Sequence, residues 1–371
     1  MTRPRTDVSV ITSGHDVADA RLHRIVAALI RAGQTVEVLG VGNPDDGPTG
    51  AIVRTTVRGS LPRRAFRAVT MPWRATGAVI VCMDPDTAIG CVTVRAVRGR
   101  KLVVDVHEDY AALLDDRAWA TGLRGWLARR LVTLATTVAA RADVTVVADE
   151  HVPPPAGRCR RRLVVRNLPD LSLMGSASGG YSGGDAALRA VYVGDVRWSR
   201  GLESMIEALG AAPGWSLDIV GPVSREDAPW LEERLGRPDA AGRVRVHGRQ
   251  PPAAAWRIAG GAAVGLALLE DTPAFRAAMP TKVYEYLAAG MAVLATALPR
   301  VERVLAESGA GAVVRDADEA ASFLRFWSSA GKQDLTKMRA AARAWADGLY
   351  RDGSPYDVLA SELAALGAAK E

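Results

Sequence analysis

Residues 280–290 combine groups that can bind an anion with the signals of a helix start. The segment reads PTKVYEYLAAG, with Thr281 as a candidate cap and Gly290 at the helix end. Lys282 and Glu285 are three positions apart and therefore share one face of the first turns. A helix amino terminus with an added lysine suits a diphosphate, and the carboxylate suits a pair of vicinal hydroxyls. A capped helix with a solvated lysine–glutamate pair fits the spacing as well.

A second segment, residues 194–201, places a glycine turn between a strand and a helix. It reads GDVRWSRG and follows the apolar run at 190–193. Such a turn presents backbone N–H groups to an anion, and Arg197 and Arg200 would add positive charge. An exposed turn in an arginine-rich protein is the alternative.

A third segment, DVHEDY at residues 105–110, ends a buried strand of the first half. His107 lies beside two carboxylates at a position where α/β enzymes place reactive groups. A histidine that bonds to a backbone carbonyl is the alternative. Asp84 and Asp86 in MDPD match the letters of a metal-binding pair, but their place after a strand predicts a turn.

The elements that must position these groups alternate between strands and helices. In the first half the predicted strands are 8–11, 36–39, 78–82, 102–106, 144–147 and 163–165, and the predicted helices are 16–31 and 118–141. In the second half the predicted strands are 190–193, 217–220, 244–246, 263–268 and 292–295. This alternation predicts a parallel sheet in each half. Two such units facing one another across a hinge would enclose a ligand cleft at their strand ends.

Residues 175–185 read GSASGGYSGGD and predict a flexible tether between the two units. Phosphate binding by these glycines is the alternative, but neither the strand nor the helix start that it needs is at the right distance.

Composition limits the class of protein. The chain has 371 residues, 49% of them hydrophobic and 24% charged, and no apolar run approaches the roughly 18 residues of a membrane span. Three cysteines without a pairing pattern indicate a reducing compartment, and the short opening strand does not resemble a secretory signal. We therefore expect a cytoplasmic protein.

The net charge of +6 favours an acidic partner such as a nucleotide diphosphate, an anionic membrane or nucleic acid. No basic and aromatic motif of a nucleic-acid reader is present, so nucleic acid is not expected. Residues 58–74 and 124–131 mix arginine with Trp, Phe or Leu, which predicts either peripheral contact with the inner face of the plasma membrane or an arginine-rich solvated surface.

The three segments, in this order, resemble the retaining glycosyltransferases of the two-domain GT-B type, family 4. The opening ITSGHDVADARLHRIVAALIRAGQTVEVL and the segment VRNLPD are also similar to that family, and the most specific part is GLALLEDTPAFRAAMPTKVYEYLAAGMAVLAT at 265–296. The resemblance implies a Rossmann-like acceptor-side domain at 1–170, a linker at 171–187 and a donor-binding domain at 188–352. A last helix at about 353–371 would pack back on the first domain.

The resemblance also implies roles for particular residues. The catalytic candidates are His107 and Glu285, and the acceptor-side candidates are His15, Arg21 and Asp109. The donor-binding candidates are Arg197, Arg200, Arg249, Thr281, Lys282 and Glu285. Glu285 would hold the donor ribose, and Arg200 stands where the family usually has a lysine.

Two positions depart from the family pattern. The family often has a second glutamate eight positions before Glu285, where this chain has Ala277. Asp195 stands where an arginine usually follows the first glycine of the turn. We expect Lys282 or Arg197 to supply the missing charge.

The expected function is retaining transfer of a hexose from a nucleotide diphosphate sugar, favouring a UDP-sugar, to a hydroxyl of a glycan, a lipid-linked acceptor or a small molecule. No metal or other cofactor is expected. A nucleotide-sugar epimerase and a catalytically inactive sugar-nucleotide-binding partner subunit are the alternatives.

Overall fold

The computed structural model describes residues 6–115, 121–169, 171, 188–351 and 353–368. The chain divides into two compact units, Met1–Asn167 with Gly353–Glu371, and Leu168–Asp352. We call these unit 1 and unit 2. Residues 172–187 of the predicted linker lie outside the described residues.

Unit 1 is built on seven parallel strands in the order β3-β2-β1-β4-β5-β6-β7. Their bounds are β1 Val8–Asp16, β2 Val36–Val41, β3 Ile52–Thr56, β4 Val79–Cys82, β5 Lys101–Val106, β6 Val144–Val147 and β7 Arg162–Val164. The central strands are runs of Val, Ile and Leu because helices cover both faces of the sheet.

The described residues of unit 1 include six α-helices. They are α1 Ala20–Arg31, α2 Leu61–Thr70, α3 Ala88–Arg98, α4 Tyr110–Asp115, α5 Gly122–Arg141 and α14 Pro355–Ala368. Helices α1 and α14 pack on one face of the sheet. Helices α3 and α5 pack on the other face, and α2 packs on α3.

Unit 2 has six parallel strands in the order β10-β9-β8-β11-β12-β13. The strands are β8 Arg189–Val193, β9 Ser216–Val220, β10 Val244–Val246, β11 Val264–Ala267, β12 Ala292–Thr296 and β13 Gly311–Val314. The helices are α6 Leu202–Gly210, α7 Ala228–Leu235, α8 Pro252–Ala259, α9 Pro273–Ala277, α10 Thr281–Ala288, α11 Pro299–Ser308, α12 Ala317–Ser328 and α13 Lys332–Leu349. One apolar core lies on each face of this sheet.

The prediction of two Rossmann-like units with parallel sheets is confirmed. Strands β3 and β13 were not predicted from the sequence. Both lie at a sheet edge and are largely half-buried, so their sequences, IVRTT and GAVV, lack the long apolar run that marks a central strand. Among the described residues, no helix has the length and apolar character needed to cross a membrane.

Candidate functional site

Two glycine turns meet at the carboxyl ends of β8 and β9. The Gly194 N–H donates to the Val220 carbonyl at 2.9 Å, and both Gly194 and Gly221 have positive φ angles. A Cβ atom on Gly221 would overlap the Gly194 carbonyl oxygen. Only glycine therefore allows the two turns to approach this closely.

Helix α10 is tied to this edge of the sheet by Tyr286. The buried hydroxyl accepts a hydrogen bond from the Val193 N–H at 3.0 Å and donates one to the Leu266 carbonyl at 3.2 Å. Any side chain at Gly265 would overlap the Tyr286 ring. These contacts fix the amino terminus of α10, and with it Lys282, beside the Gly194 turn.

Lys282 is 7% exposed, and its Nζ lies 3.6 Å from the centroid of the Tyr192 ring. Within the part of the chain that the structure describes, Nζ has no hydrogen-bond partner. Burial lowers the pKa of Lys282 well below its usual value, and the charge of Arg200 acts in the same direction while Glu285 opposes it. A cation–π contact stabilises the ammonium only in part. A buried ammonium without a hydrogen-bonded counter-ion is a site that an anion would complete.

Arg200 adds a second cation to the same place. It ends the short 3₁₀ turn Trp198–Arg200 that leads into α6. Burial raises the pKa of the Tyr192 hydroxyl above its usual range, and the neighbouring Arg200 guanidinium opposes that shift. Lys282 therefore lies over the ring of Tyr192, and Arg200 lies near the hydroxyl of the same side chain.

The other donor-side candidates differ in their placement. Glu285 is buried, one turn after Lys282 on α10. Thr281 is half-buried and is the first residue of α10, so the prediction that it caps the helix was wrong; Pro280 occupies the cap position and makes no side-chain cap hydrogen bond. Arg197 is exposed, and its Nη2 lies 3.7 Å from the Asp195 carboxylate. Asp195 thus partly neutralises Arg197, so Lys282 and Arg200 are the better placed cations.

Arg249 lies in an exposed turn whose base is held by Asp218 of β9. The Asp218 carboxylate accepts hydrogen bonds from Arg189 at 2.9 Å and Arg245 at 2.8 Å, and lies 2.8 Å from Nε2 of His247. Although burial opposes the shift, these bonds lower the pKa of Asp218 to about 2. The cluster fixes His247, two residues before Arg249.

In unit 1, Asp84 holds the second half of β1, where the pairing with β2 is irregular between Ile11 and Asp16. Its Oδ2 accepts hydrogen bonds from the Thr12 hydroxyl at 2.6 Å and from the Ser13 and Gly14 N–H groups at 2.7 and 3.0 Å. Its Oδ1 lies 2.6 Å from Nδ1 of His15. Asp84 therefore lies in a turn as predicted, where it also forms an ion pair with His15.

His15 and His107 form an edge-to-face pair at the strand ends. Their ring centroids are 4.8 Å apart, and Tyr110 contacts His107 from the other side at 5.9 Å. Burial lowers the pKa of His15, but the Asp84 carboxylate outweighs it and raises the value to about 9. Burial lowers the pKa of His107. The Asp105 carboxylate opposes this shift, and the charge of His15 lowers the pKa further. Near neutral pH one imidazole is thus cationic and the other neutral.

Arg21, expected on the acceptor side, is buried and supports the strand that carries His107. It donates two hydrogen bonds to the Asp105 carboxylate, at 2.7 and 2.6 Å, and further ones to the Val165 carbonyl and Asn167. Asp109 accepts a hydrogen bond from the Ala111 N–H at the start of α4.

Sequence patterns singled out Lys282, Arg200 and His107, and missed Tyr192 and the pairing of Asp84 with His15. Tyr192 lies in an apolar strand, and nothing in its spacing indicates that its ring contacts a lysine. The motifs HD at residues 15–16 and DPD at residues 84–86 are visible in the sequence. A sequence does not show, however, which segments at the edge of a parallel sheet meet.

Unit 2 also contains a cavity of about 450 Å³. Its lining includes the carboxylates Glu207, Glu270, Asp271, Asp316 and Asp318. This negative charge would repel a diphosphate, and none of Lys282, Arg200 and Glu285 lines the cavity.

Comparison with known proteins agrees with the fold. Residues 197–351 match the family model described as glycosyl transferase-like. No curated protein sequence matches the chain significantly.

Several solved structures share the GT-B fold. Sucrose-phosphate synthase from Thermosynechococcus elongatus is 14% identical, with 99% of this chain and 100% of that chain covered and a TM-score of 0.69. HepE of Anabaena in complex with UDP-glucose is 12% identical, with 98% and 100% covered and a TM-score of 0.66. WaaG, a glycosyltransferase involved in lipopolysaccharide biosynthesis, is 15% identical, with 96% and 99% covered and a TM-score of 0.65.

Proposed function

We propose that this chain, whose residues 197–351 form a glycosyl transferase-like domain, transfers a hexose from a nucleotide diphosphate sugar to an acceptor hydroxyl with retention of configuration. UDP is the favoured nucleotide, because HepE, which shares the fold, holds UDP-glucose. Glycans, lipid-linked acceptors and small molecules remain the acceptor classes. The three free thiols fit a reducing compartment, which supports a cytoplasmic enzyme.

The observation that carries this proposal is the buried Nζ of Lys282, which has no hydrogen-bond partner among the described residues. It lies beside the Gly194 turn and over the ring of Tyr192, whose hydroxyl interacts with Arg200. A diphosphate supplies the missing counter-charge, and the N–H groups at the start of α10 add donors. Glu285, one turn along, accepts hydrogen bonds from the ribose hydroxyls.

The reaction breaks the bond between the anomeric carbon and the diphosphate oxygen. A bond to the acceptor oxygen forms, and the acceptor proton passes to the leaving diphosphate. Negative charge grows on that leaving group, so Lys282 and Arg200 stabilise the transition state more than the ground state. Removal of one such preorganised group commonly lowers kcat about 10²- to 10³-fold.

In unit 1, His107 is the residue we assign to the transferred sugar or the acceptor hydroxyl. Its neutral imidazole offers one donor and one acceptor nitrogen. His15, held cationic by Asp84, is assigned to the acceptor side. Arg21 acts as a positioning residue, because it holds Asp105 and thereby the strand that ends at His107.

The proposal is tested by calorimetric titration of UDP, GDP and CDP into the wild-type protein and the Lys282→Met variant. We expect UDP to bind the wild type and to bind the variant at least about 100-fold more weakly, since a desolvated charge contact is lost. The matched control is Lys337→Met, because Lys337 is an exposed lysine on α13. Equal UDP affinity in all three proteins would contradict the assignment of Lys282.

Incubation with UDP-hexoses then identifies the reaction. Release of UDP, by transfer or slow hydrolysis, is expected for a transferase, and a His107→Ala variant should release it more slowly. Interconversion of two UDP-sugars without release of UDP would identify an epimerase instead.

An inactive partner subunit is the second candidate, and Asp195 favours it. This carboxylate lies in the turn assigned to the diphosphate, where it would repel the donor. Tight UDP binding with neither transfer nor hydrolysis would select this alternative. An Asp195→Arg variant that binds UDP more tightly would support the same interpretation.

A further inference from the structure

Helix α5 exposes large apolar side chains and buries small ones. Its buried positions are Gly125, Ala135 and Ala139. The exposed apolar positions recur at spacings of three, four and eight residues, so they share one side of the helix. We call them the outer stripe of α5: Leu123 (72% exposed), Trp126 (52%), Leu127 (53%), Leu131 and Leu134.

The neighbouring helices continue this apolar surface. Helix α3 packs against both α2 and α5 on the same face of the sheet. The exposed apolar residues of α2, of the 3₁₀ turn Met71–Arg74 that follows it and of α3 are Phe66, Val69, Trp73, Ile89 and Val97. Isolated exposed apolar residues are common, but several on each of three helices that pack side by side indicate a contact surface.

The charged residues of helices α2, α3 and α5 are all positive. Helices α2, α3 and α5 contain no aspartate or glutamate. Their arginines are Arg63, Arg64, Arg67, Arg95, Arg98, Arg124, Arg129, Arg130 and Arg141. Arg64 is paired with Asp86, and Arg95 is paired with Asp143. In the outer stripe itself, the Arg130 guanidinium lies 5.2 Å from the centroid of the Trp126 ring.

We propose that the outer stripe of α5 docks unit 1 on an anionic lipid bilayer. Leucine and tryptophan would enter the boundary between headgroups and acyl chains, and the arginines of α2, α3 and α5 would bind the lipid phosphates. A protein partner would also cover the apolar residues, but the absence of carboxylates on all three helices favours a uniformly negative surface. This inference adds a partner to the proposed glycosyltransferase and rests on a surface other than the Lys282 site.

The test is sedimentation of the full chain with vesicles of phosphatidylcholine, alone or with 30 mol% phosphatidylglycerol. We expect binding to the anionic vesicles that weakens as salt is added, and little binding to the neutral ones. Leu127→Glu should lower the partition coefficient at least about tenfold, because it places a charge within the apolar contact. Arg124→Gln combined with Arg130→Gln should lower it about 25-fold, since each cation near an anionic surface contributes about fivefold.

Val358→Glu is the matched control, because Val358 is 57% exposed on α14, which packs on the opposite face of the sheet. It should leave vesicle binding unchanged. No binding to anionic vesicles, or equal binding by Leu127→Glu and the wild type, would overturn the proposal. A concentration-dependent dimer that Leu127→Glu abolishes, without vesicle binding, would assign the stripe to self-association instead. UDP binding by Leu127→Glu should equal that of the wild type, so failure here is distinguishable from failure of the proposed function.

Discussion

At the scale of single residues, Lys282 combines a cost in stability with a role in binding. Its Nζ is buried without a hydrogen-bond partner in the described residues, and such a group destabilises the folded state. We expect Lys282→Met to raise the free energy of unfolding by about 1 to 3 kcal/mol while it removes UDP binding. Urea denaturation of the two proteins without ligand measures this difference.

The effect of Lys282 on stability should depend on pH. Burial lowers the pKa of Lys282 in the folded state, so the unfolded chain binds more protons between that pKa and the usual lysine value of about 10.4. The stability of the wild type therefore rises with pH in this window, and the advantage of Lys282→Met shrinks. An unchanged or smaller free energy of unfolding for the variant at pH 7 would contradict this account.

The contribution of His15 to folding stability should change with pH in the opposite direction. Its pKa in the folded state is raised to about 9, above the usual value of about 6.5, so the ion pair with Asp84 stabilises unit 1 fully below pH 6.5. That contribution is lost as pH rises through 9. In Asp84→Asn we expect the pKa of His15 to fall to 6.5 or below and the pKa of His107 to rise, because a neighbouring cation is removed.

Nuclear magnetic resonance titration of the imidazole carbons measures these values directly. If His15 titrated near 6.5 in the wild type, the ion pair would have no part in holding the imidazole cationic.

Residues of the candidate site could be identified from the sequence when the side chain and the helix or turn that positions it lie in one short segment. Lys282 and Glu285 are of this kind, because helical spacing places them on one face. Asp84 was predicted only to form a turn. Its bond to His15 depends on β1 lying next to β4, and strand order is a property of the folded sheet.

At the scale of elements, the turn that carries Arg200 depends on Gly201. This residue has φ 84°, and a Cβ atom there would overlap the Leu268 carbonyl oxygen after β11. Gly201→Ala should therefore displace Arg200, weaken UDP binding and destabilise unit 2 by about 2 kcal/mol or more, measured by urea denaturation with UDP titration alongside.

Gly214→Ala is the control for backbone strain alone. Gly214 has φ 89° with open space around the position of a Cβ atom, so only the positive φ angle is penalised, at about 1 kcal/mol. UDP affinity should be unchanged in this variant. If the two variants were equally stable and bound UDP equally well, the close contact with Leu268 would have no role in the site.

Central strands were predicted well because burial on both sides requires uninterrupted apolar runs, whereas helices α12 and α13 were not predicted. Helix α5 was predicted to begin at 118 and begins at Gly122 in the structure. Its apolar residues gave a helical period, and the expectation was a membrane contact or a solvated arginine-rich face. Which side of α5 is buried follows from Gly125, Ala135 and Ala139, whose small side chains let the helix pack closely on the sheet.

At the scale of the whole molecule, each unit has its own pair of apolar cores. We therefore expect thermal unfolding in two calorimetric transitions, one for each unit. A ligand raises only the transition of the unit that binds it. At 100 times its dissociation constant, UDP should stabilise unit 2 by about 2.7 kcal/mol, which corresponds to a shift of about 5 to 11 °C.

The assignment of the transitions follows from variants in each unit. Gly214→Ala should lower the transition that UDP raises, and Asp84→Asn should lower the other one. In Lys282→Met, UDP should move neither. A single transition that UDP raises as a whole would show that the two units unfold cooperatively. A shift confined to the transition lowered by Asp84→Asn would place nucleotide binding in unit 1 and remove Lys282 from the donor site.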